Sequence, residues 1–326
     1  MSLSYTLQVG RGYISGWLSG RIRRGGIRVY CYHGVVEQKT DYRLERNLHI
    51  LSDFEDHVEL FRRCRMLTVD DLMQELSEPS KNRKPSALIT FDDGYSNNLM
   101  AAEILSSYKI PWLLFASTAS LGHFGVIWTV ELSLLILHGE STEVETLGSR
   151  WPLTNRPERE AAFQAIRSSM KAMSSGIRKS TMQEVRSQFP REETARLLKR
   201  FSSLQMLTWD EIGQLSTAGV EVGSHGVDHE IHHSNQESAV RMVELADSKR
   251  ELESRLNRPC RCFAYPNGNT VSTSPAEART AGYQLGFTTD HGTVNIGSNQ
   301  YLLPRLEPGS ALNRLVSDFF WERQIS

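Results

Sequence analysis

From Ile27 onward, short apolar runs alternate with stretches whose apolar residues recur every three or four positions, and this alternation most narrows the folds open to the chain. The runs 27–32, 87–91, 112–116, 220–223, 262–265, 284–288 and 301–306 read as strands. Stretches 52–63 and 237–256 carry helical spacing. Thr208-Trp209-Asp210-Glu211 reads as a capping box that opens a helix ending near Gly219. Ser274-Pro275-Ala276-Glu277 reads as a second, with proline at the first helical position and Gly282 past the end. Strand, helix, strand repeated this often predicts a parallel sheet, closed or nearly closed, whose reacting groups sit where strands end. One segment, about 120–207, breaks the alternation and reads as a mainly helical insertion.

With 326 residues, 39% of them hydrophobic and 23% charged, the chain can bury a full core, and one large α/β domain is expected rather than two. Basic and acidic residues number 37 and 38, so no overall charge draws the chain to nucleic acid or to a membrane. Any polyanion contact must be local. Between Arg156 and Arg200 stand 11 basic and 5 acidic residues, either the solvated face of helices or a dock for an anionic partner such as a phosphate-bearing lipid carrier. Four unevenly spaced cysteines (Cys31, Cys64, Cys260, Cys262) make no disulfide framework and are expected as reduced, buried side chains.

No apolar run reaches the ~18 residues that span a bilayer. In 1–26, glycines and arginines interrupt each apolar stretch before a signal-peptide core builds. There Tyr13, Ile14, Trp17, Leu18 and Ile22 fall at helical spacing among Arg11, Arg21, Arg23 and Arg24, which suits a helix docked on the barrel wall or lying on a membrane surface. The expected organisation is an N-terminal extension (1–26) followed by one barrel (27–326) that carries the insertion. The expected location is cytoplasmic, peripheral to the inner membrane face through the N-terminus or the basic insertion.

The chemistry concentrates at two strand ends. Thr90-Phe91-Asp92-Asp93-Gly94-Tyr95 delivers adjacent carboxylates at a glycine turn, and two acids so placed can divide the work, one holding a cation and one taking a proton. Ser224-His225-Gly226-Val227-Asp228-His229 follows another apolar run and adds two imidazoles. One carboxylate and two imidazoles suit zinc, or another divalent metal, with an open position.

These two segments, followed by Phe263-Ala264-Tyr265-Pro266-Asn267-Gly268, resemble the first three motifs of the NodB-type polysaccharide deacetylases, carbohydrate esterase family 4. Tyr32-His33-Gly34-Val35 resembles the pair that opens many members. The resemblance implies a distorted (β/α) barrel and metal-dependent removal of an N-acyl group from a sugar. Asp92 would be the general base, and Asp93, His225 and His229 the Zn2+ ligands. The backbone N–H of Tyr265, which precedes Pro266, would face the developing oxyanion.

Two departures from the family pattern follow. Gly226 stands where a serine or threonine hydroxyl is usual, and no histidine follows the leucine near Leu302 and Leu303. The Pro304-Arg305 ending instead offers Arg305 to hold the base, and His291 or His33 is left as the proton donor, since imidazole exchanges a proton near neutral pH. Asn98 is a candidate brace for the first-motif loop, Asp228 a candidate partner for one imidazole, and His232 and His233 read as loop residues. The expected substrate is an N-acetylated amino sugar of a surface glycan or its lipid-linked precursor. Deformylation, cyclic amide hydrolysis with the same site, or a non-catalytic carbohydrate-binding barrel are the alternatives.

Overall fold

In chain order, the first elements are β1 (Arg28–Tyr32), β2 (Gly34–Val36), β3 (Leu48–Ile50), α1 (Leu51–Phe61), β4 (Arg65–Met66), α2 (Val69–Ser77), β5 (Ser86–Phe91), α3 (Asn98–Ser107) and β6 (Trp112–Ala116). The insertion follows as α4 (Trp128–His138), β7 (Glu143–Thr146), β8 (Ser149–Pro152), α5 (Arg156–Lys171), α6 (Ser175–Arg186) and α7 (Glu193–Arg200). The chain rejoins the sheet through α8 (Trp209–Thr217), β9 (Glu221–Ser224), α9 (Ser238–Leu256), β10 (Cys262–Ala264), α10 (Ser274–Thr280), β11 (Leu285–His291) and β12 (Leu303–Arg305). The computed structural model describes residues 26–78, 85–122 and 125–309, so the reading of 1–25 as an amphipathic helix lies outside the described residues.

The main sheet runs β1-β5-β6-β9-β10-β11-β12, with every neighbouring pair parallel and β4 added beside β5. It comes back on itself beyond β12. Leu306 N donates to Val29 O at 2.8 Å and Cys31 N donates to Leu306 O at 2.9 Å. The closure is irregular, because β9 and β10 share one registered pair, Phe263 with Ser224, and the β11–β12 register slips between Phe287 and His291. This is the distorted (β/α) barrel that the alternation and the resemblance imply.

The two-residue period of the strands sorts their side chains into two cores. Val29, Leu88, Leu113, Phe115, Cys262, Leu285, Phe287 and Leu303 pack together inside the barrel, and Thr90 and Asp92 continue the Leu88 face toward the rim. Tyr30, Ile89, Phe91, Leu114 and Phe263 face outward and bury the helices, with Phe54, Leu105, Ile212 and Leu245 among the partners. The insertion forms its own apolar cluster around Leu132, Leu135, Phe163, Ile166, Met182, Val185 and Leu197. It is not wholly helical, because β7 and β8 pair antiparallel across a Leu147-Gly148 turn with both φ positive.

Each apolar run read as a strand becomes one. β2, β3 and β4 are two or three residues long, too short to show a period. The Thr208–Glu211 capping box forms. The second does not: Ser274 Oγ accepts from Val271 N at 2.9 Å, and the Glu277 carboxylate turns to Arg241. All four cysteines are free, and three of them (Cys31, Cys260, Cys262) are buried. Among the described residues no helix is long and apolar enough to cross a membrane.

Candidate metal centre

The end of β5 turns sharply. Asp92 N still donates to Tyr32 O at 2.9 Å, as a ladder residue would. Asp93 and Gly94 then take φ of 76° and 88°. Glycine reaches this region freely, but aspartate there costs on the order of 1–3 kcal/mol, a strain that collects at functional sites. The turn separates the two carboxylates, so that Asp92 looks into the barrel and Asp93 looks across the rim toward β9.

β9 delivers its histidines in the same way. His225 N donates to Ala116 O at 2.9 Å, Gly226 takes φ of 83°, and His229 is itself left-handed at φ 54°. His225 Nδ1 donates to Ala264 O at 2.8 Å, which fixes the tautomer and leaves the Nε2 lone pair free. Both Nε2 atoms, of His225 and of His229, stand 3.4 Å from one oxygen, Asp93 Oδ1. That oxygen is buried without a hydrogen bond, as is His229 Nδ1.

The three side chains fit a shared cation. One ligand atom from each lies within 4.8 Å of the others, and all three residues are buried. Donors about 2.0–2.1 Å from one zinc stand roughly 3.3 Å apart at tetrahedral angles. The electrostatics agree. Burial works to raise Asp93, but the two imidazoles facing it hold its carboxyl well below the usual range. Burial works to lower His225, yet the Asp92 and Asp93 carboxylates outweigh it and leave the group raised, whereas for His229 burial prevails and the group is lowered.

Asp92 has a different partner. Arg305 Nη1 and Nη2 each reach one of its oxygens at 2.7 Å, a two-pronged ion pair with both side chains almost fully buried. Arg305 is fixed in turn by Thr288 O at 2.8 Å and Thr90 Oγ1 at 3.1 Å. Burial would raise the Asp92 carboxyl; the Arg305 guanidinium more than offsets it and the group lies below the ordinary carboxylate value. The adjacent acids are therefore sorted, Asp92 to the arginine and Asp93 to the imidazoles.

The remaining expected residues divide. His33 lines a cavity of about 150 Å³ together with Asp92, Asp93, His225 and His229. Asn98 holds its segment by donating to His33 O at 2.8 Å. His291, at the end of β11, is exposed and not among the residues lining that cavity, so the structure does not bring it to the cluster. Tyr265 and Pro266 are buried and do not line that cavity. The expectation for the Tyr265 N–H is corrected, because it donates to Phe287 O at 2.9 Å and so is committed to the sheet rather than offered to an oxyanion. Asp228 turns outward to Lys179 at 2.5 Å and orients neither imidazole. His232 is buried against Phe263 and Tyr265, where burial pushes its imidazole down to about 4.

Sequence reasoning missed the brace of the histidine loop. Glu244 Oε2, from α9, accepts from Val227 N at 2.8 Å and Asp228 N at 3.0 Å and so holds the loop that follows His225. A side chain at Gly226 would put Cβ 2.7 Å from that oxygen, so the glycine and the glutamate go together. No sequence signal marks Glu244, which lies in a helix rich in charged residues.

Comparison with known proteins bears on the same segments. The polysaccharide deacetylase profile matches residues 80–286, more than half of the chain, and spans the Asp92-Asp93 strand end, both histidines and the Tyr265-Pro266 turn. YxkH of Bacillus subtilis (strain 168) is 26% identical over 100 residues, 31% of this chain and 36% of that protein, so the match spans about a third of its length. Two solved structures share the fold across nearly the whole of both chains. The Streptococcus pyogenes deacetylase PplD in complex with acetate has a TM-score of 0.59 at 16% identity, covering 90% of this chain and 97% of that one. IcaB from Ammonifex degensii has a TM-score of 0.59 at 18% identity, with 91% and 98% covered. With the profile running through each strand end that builds the cluster, the chain belongs to the polysaccharide deacetylase family.

Proposed function

We propose that this chain hydrolyses the acetamide of an N-acetylated amino sugar, with a divalent cation, zinc by its ligand set, held by Asp93, His225 and His229. The observation that carries the reading is the convergence of both imidazole Nε2 atoms on a buried Asp93 oxygen that lacks a hydrogen bond, beside an aspartate locked by Arg305. When bound, the cation would act as a Lewis acid toward the amide carbonyl and stabilise the charge that develops on its oxygen.

The chain's own groups supply the rest. Asp92, kept ionised by Arg305, accepts a proton from the attacking water. His33, which shares the cavity, returns a proton to the departing nitrogen. The amide C–N bond breaks, the water oxygen joins the acyl carbon, and acetate and the free amine result. His33 takes this role over His291 because only His33 lines the cavity.

The test is acetate release from N-acetylglucosamine oligomers with matched metal analysis. Asp92→Asn is expected to lower kcat at least about a hundredfold while metal content stays near that of the wild type. His229→Ala is expected to lose the metal and the activity together. Undiminished acetate release by Asp92→Asn, or by chelated protein, would overturn the reading.

A further inference from the structure

Three cations face the cavity of the metal cluster, and among the described residues no carboxylate answers them. Arg46 lies in the connection between β2 and β3, while Arg167 and Lys171 lie four residues apart on one face of α5. All three line the cavity of about 150 Å³ that holds Asp92, Asp93, His225 and His229. Their side-chain partners are neutral or missing. Arg167 donates to Gln164 Oε1 at 2.6 Å and lies 4.9 Å over the Phe163 ring, and Lys171 donates to the Asn267 side chain in the third motif. Arg46 has no side-chain hydrogen bond or ion pair among the described residues.

A fourth cation at the same cavity shows the contrast. Arg43 is matched by Asp41 and Glu160. The two acids lining the cavity, Asp92 and Asp93, are engaged by Arg305 and by the imidazoles. Burial and then mutual repulsion lower Lys171, through Arg167 and Arg46, and lower Arg167, through Arg46. Like charges held together without a counter-ion cost stability, and a site that binds an anion recovers that cost when the ligand arrives. Arg46 also lines a neighbouring cavity of about 610 Å³ that shares His33, Asn47 and Leu48 with the first, which leaves room for more substrate beside the reacting group.

Resting on the deacetylase reading, we propose that the substrate is an N-acetylated amino sugar that carries a phosphate ester, its phosphate seated among Arg46, Arg167 and Lys171. A phosphate brings up to two charges and three acceptor oxygens, and guanidinium forks match it in a way that a single carboxylate does not. Sugar 1-phosphates, nucleotide-linked sugars and lipid diphosphate sugars share this chemistry.

The test measures acetate release side by side from N-acetylglucosamine, its 1-phosphate, UDP-N-acetylglucosamine and a short-chain polyprenyl diphosphate N-acetylglucosamine. Expected is a kcat/KM about tenfold or more higher for a phosphate-bearing sugar than for the free sugar. The gain should shrink with added salt and collapse toward one in Arg46→Gln/Arg167→Gln/Lys171→Gln. The substrate with the largest gain identifies the source of the phosphate. Lys171→Gln alone, a half-buried position, covers the case in which the triple variant does not fold, and should lose part of the gain. Phosphate also binds divalent cations, so binding of glucosamine 1-phosphate is compared in metal-loaded and chelated full-length protein, and comparable affinity is expected. Equal kcat/KM for free and phosphorylated sugars, a preference that survives in the variants, or binding that needs the metal would overturn this inference and leave the deacetylase reading intact. Acetate release from none of these sugars nor from N-acetylglucosamine oligomers would overturn both.

Discussion

Arg305 decides what Asp92 can do. A carboxylate in the barrel interior, almost without exposure, would take up a proton and be useless as a base, and the bidentate arginine prevents this. Removing one member of such a buried pair leaves the other uncompensated, so Arg305→Met should lose about 3–5 kcal/mol of stability. It should also raise the Asp92 pKa, which moves the acid limb of the kcat/KM profile to higher pH. Denaturant unfolding and a pH–rate series on wild type and variant check both parts, and an acid limb that stays put would separate Arg305 from the base. At this scale the sequence was informative where the candidate site is built from side chains: Asp92, Asp93, His225 and His229 stand at strand ends with a turn behind them. It was silent where the backbone decides. Tyr265 keeps its expected place, yet its N–H is spent in the ladder with Phe287, and which N–H groups a barrel commits to its own register is a property of neighbouring strands, not of the motif. Glu244 was hidden for a related reason, since its role depends on a loop remote in sequence.

Among the elements, long strands with apolar runs were readable because burial on both faces leaves few polar residues in them. β2 to β4 and the β7–β8 hairpin were not, since two to four residues carry no period and the hairpin turn is Leu147-Gly148 rather than a favoured Asn-Gly. The missing second capping box follows from packing between helices. Glu277 faces α9 and takes Arg241 as its partner, in a pair with only about 7% of either side chain exposed. Burial alone would raise the Glu277 carboxyl, but hydrogen bonds from Arg241, Ser238 and Thr273 bring it down to about 2. A depressed carboxylate stabilises fully above its unfolded pKa, near 4.3, and loses the contribution as pH falls through the folded value. Some solvent screening reduces the worth of the pair to about 1–2 kcal/mol. Arg241→Met should therefore be less stable than wild type at pH 7, with the gap narrowing by pH 3. Urea unfolding at the two pH values reads this out, and a gap that does not change would mean that the loss comes from packing rather than from the ion pair.

Across the whole molecule, the insertion is joined to the candidate metal centre more closely than its separate apolar cluster suggests. Arg178 on α6 forms a buried ion pair with Glu230, the residue after His229, and Ser175 Oγ donates to the same carboxylate at 2.7 Å. Gln236 Nε2 reaches its other oxygen at 3.1 Å, and Trp128 Nε1 donates to His229 O at 3.4 Å. Lys179 reaches Asp228 on the other side of His229. Two helices of the insertion thus hold the loop that keeps His229 in its left-handed conformation, a backbone state that persists only when its surroundings over-determine it. The alternation of strands and helices located this segment but gave no hint of the tie, because a single arginine in a basic stretch looks like every other. Arg178→Met should strand the Glu230 charge and cost about 3–5 kcal/mol of stability. If the loop relaxes as argued, zinc affinity should also fall roughly ten- to a hundredfold, as happens when the groups supporting a ligand are removed. Thermal unfolding and a competitive zinc titration measure the two effects independently. A variant that melts earlier yet binds zinc as tightly as the wild type would reduce the insertion to a stabilising cover, and Glu230→Gln, which removes the stranded charge, should then restore most of the stability without touching the metal.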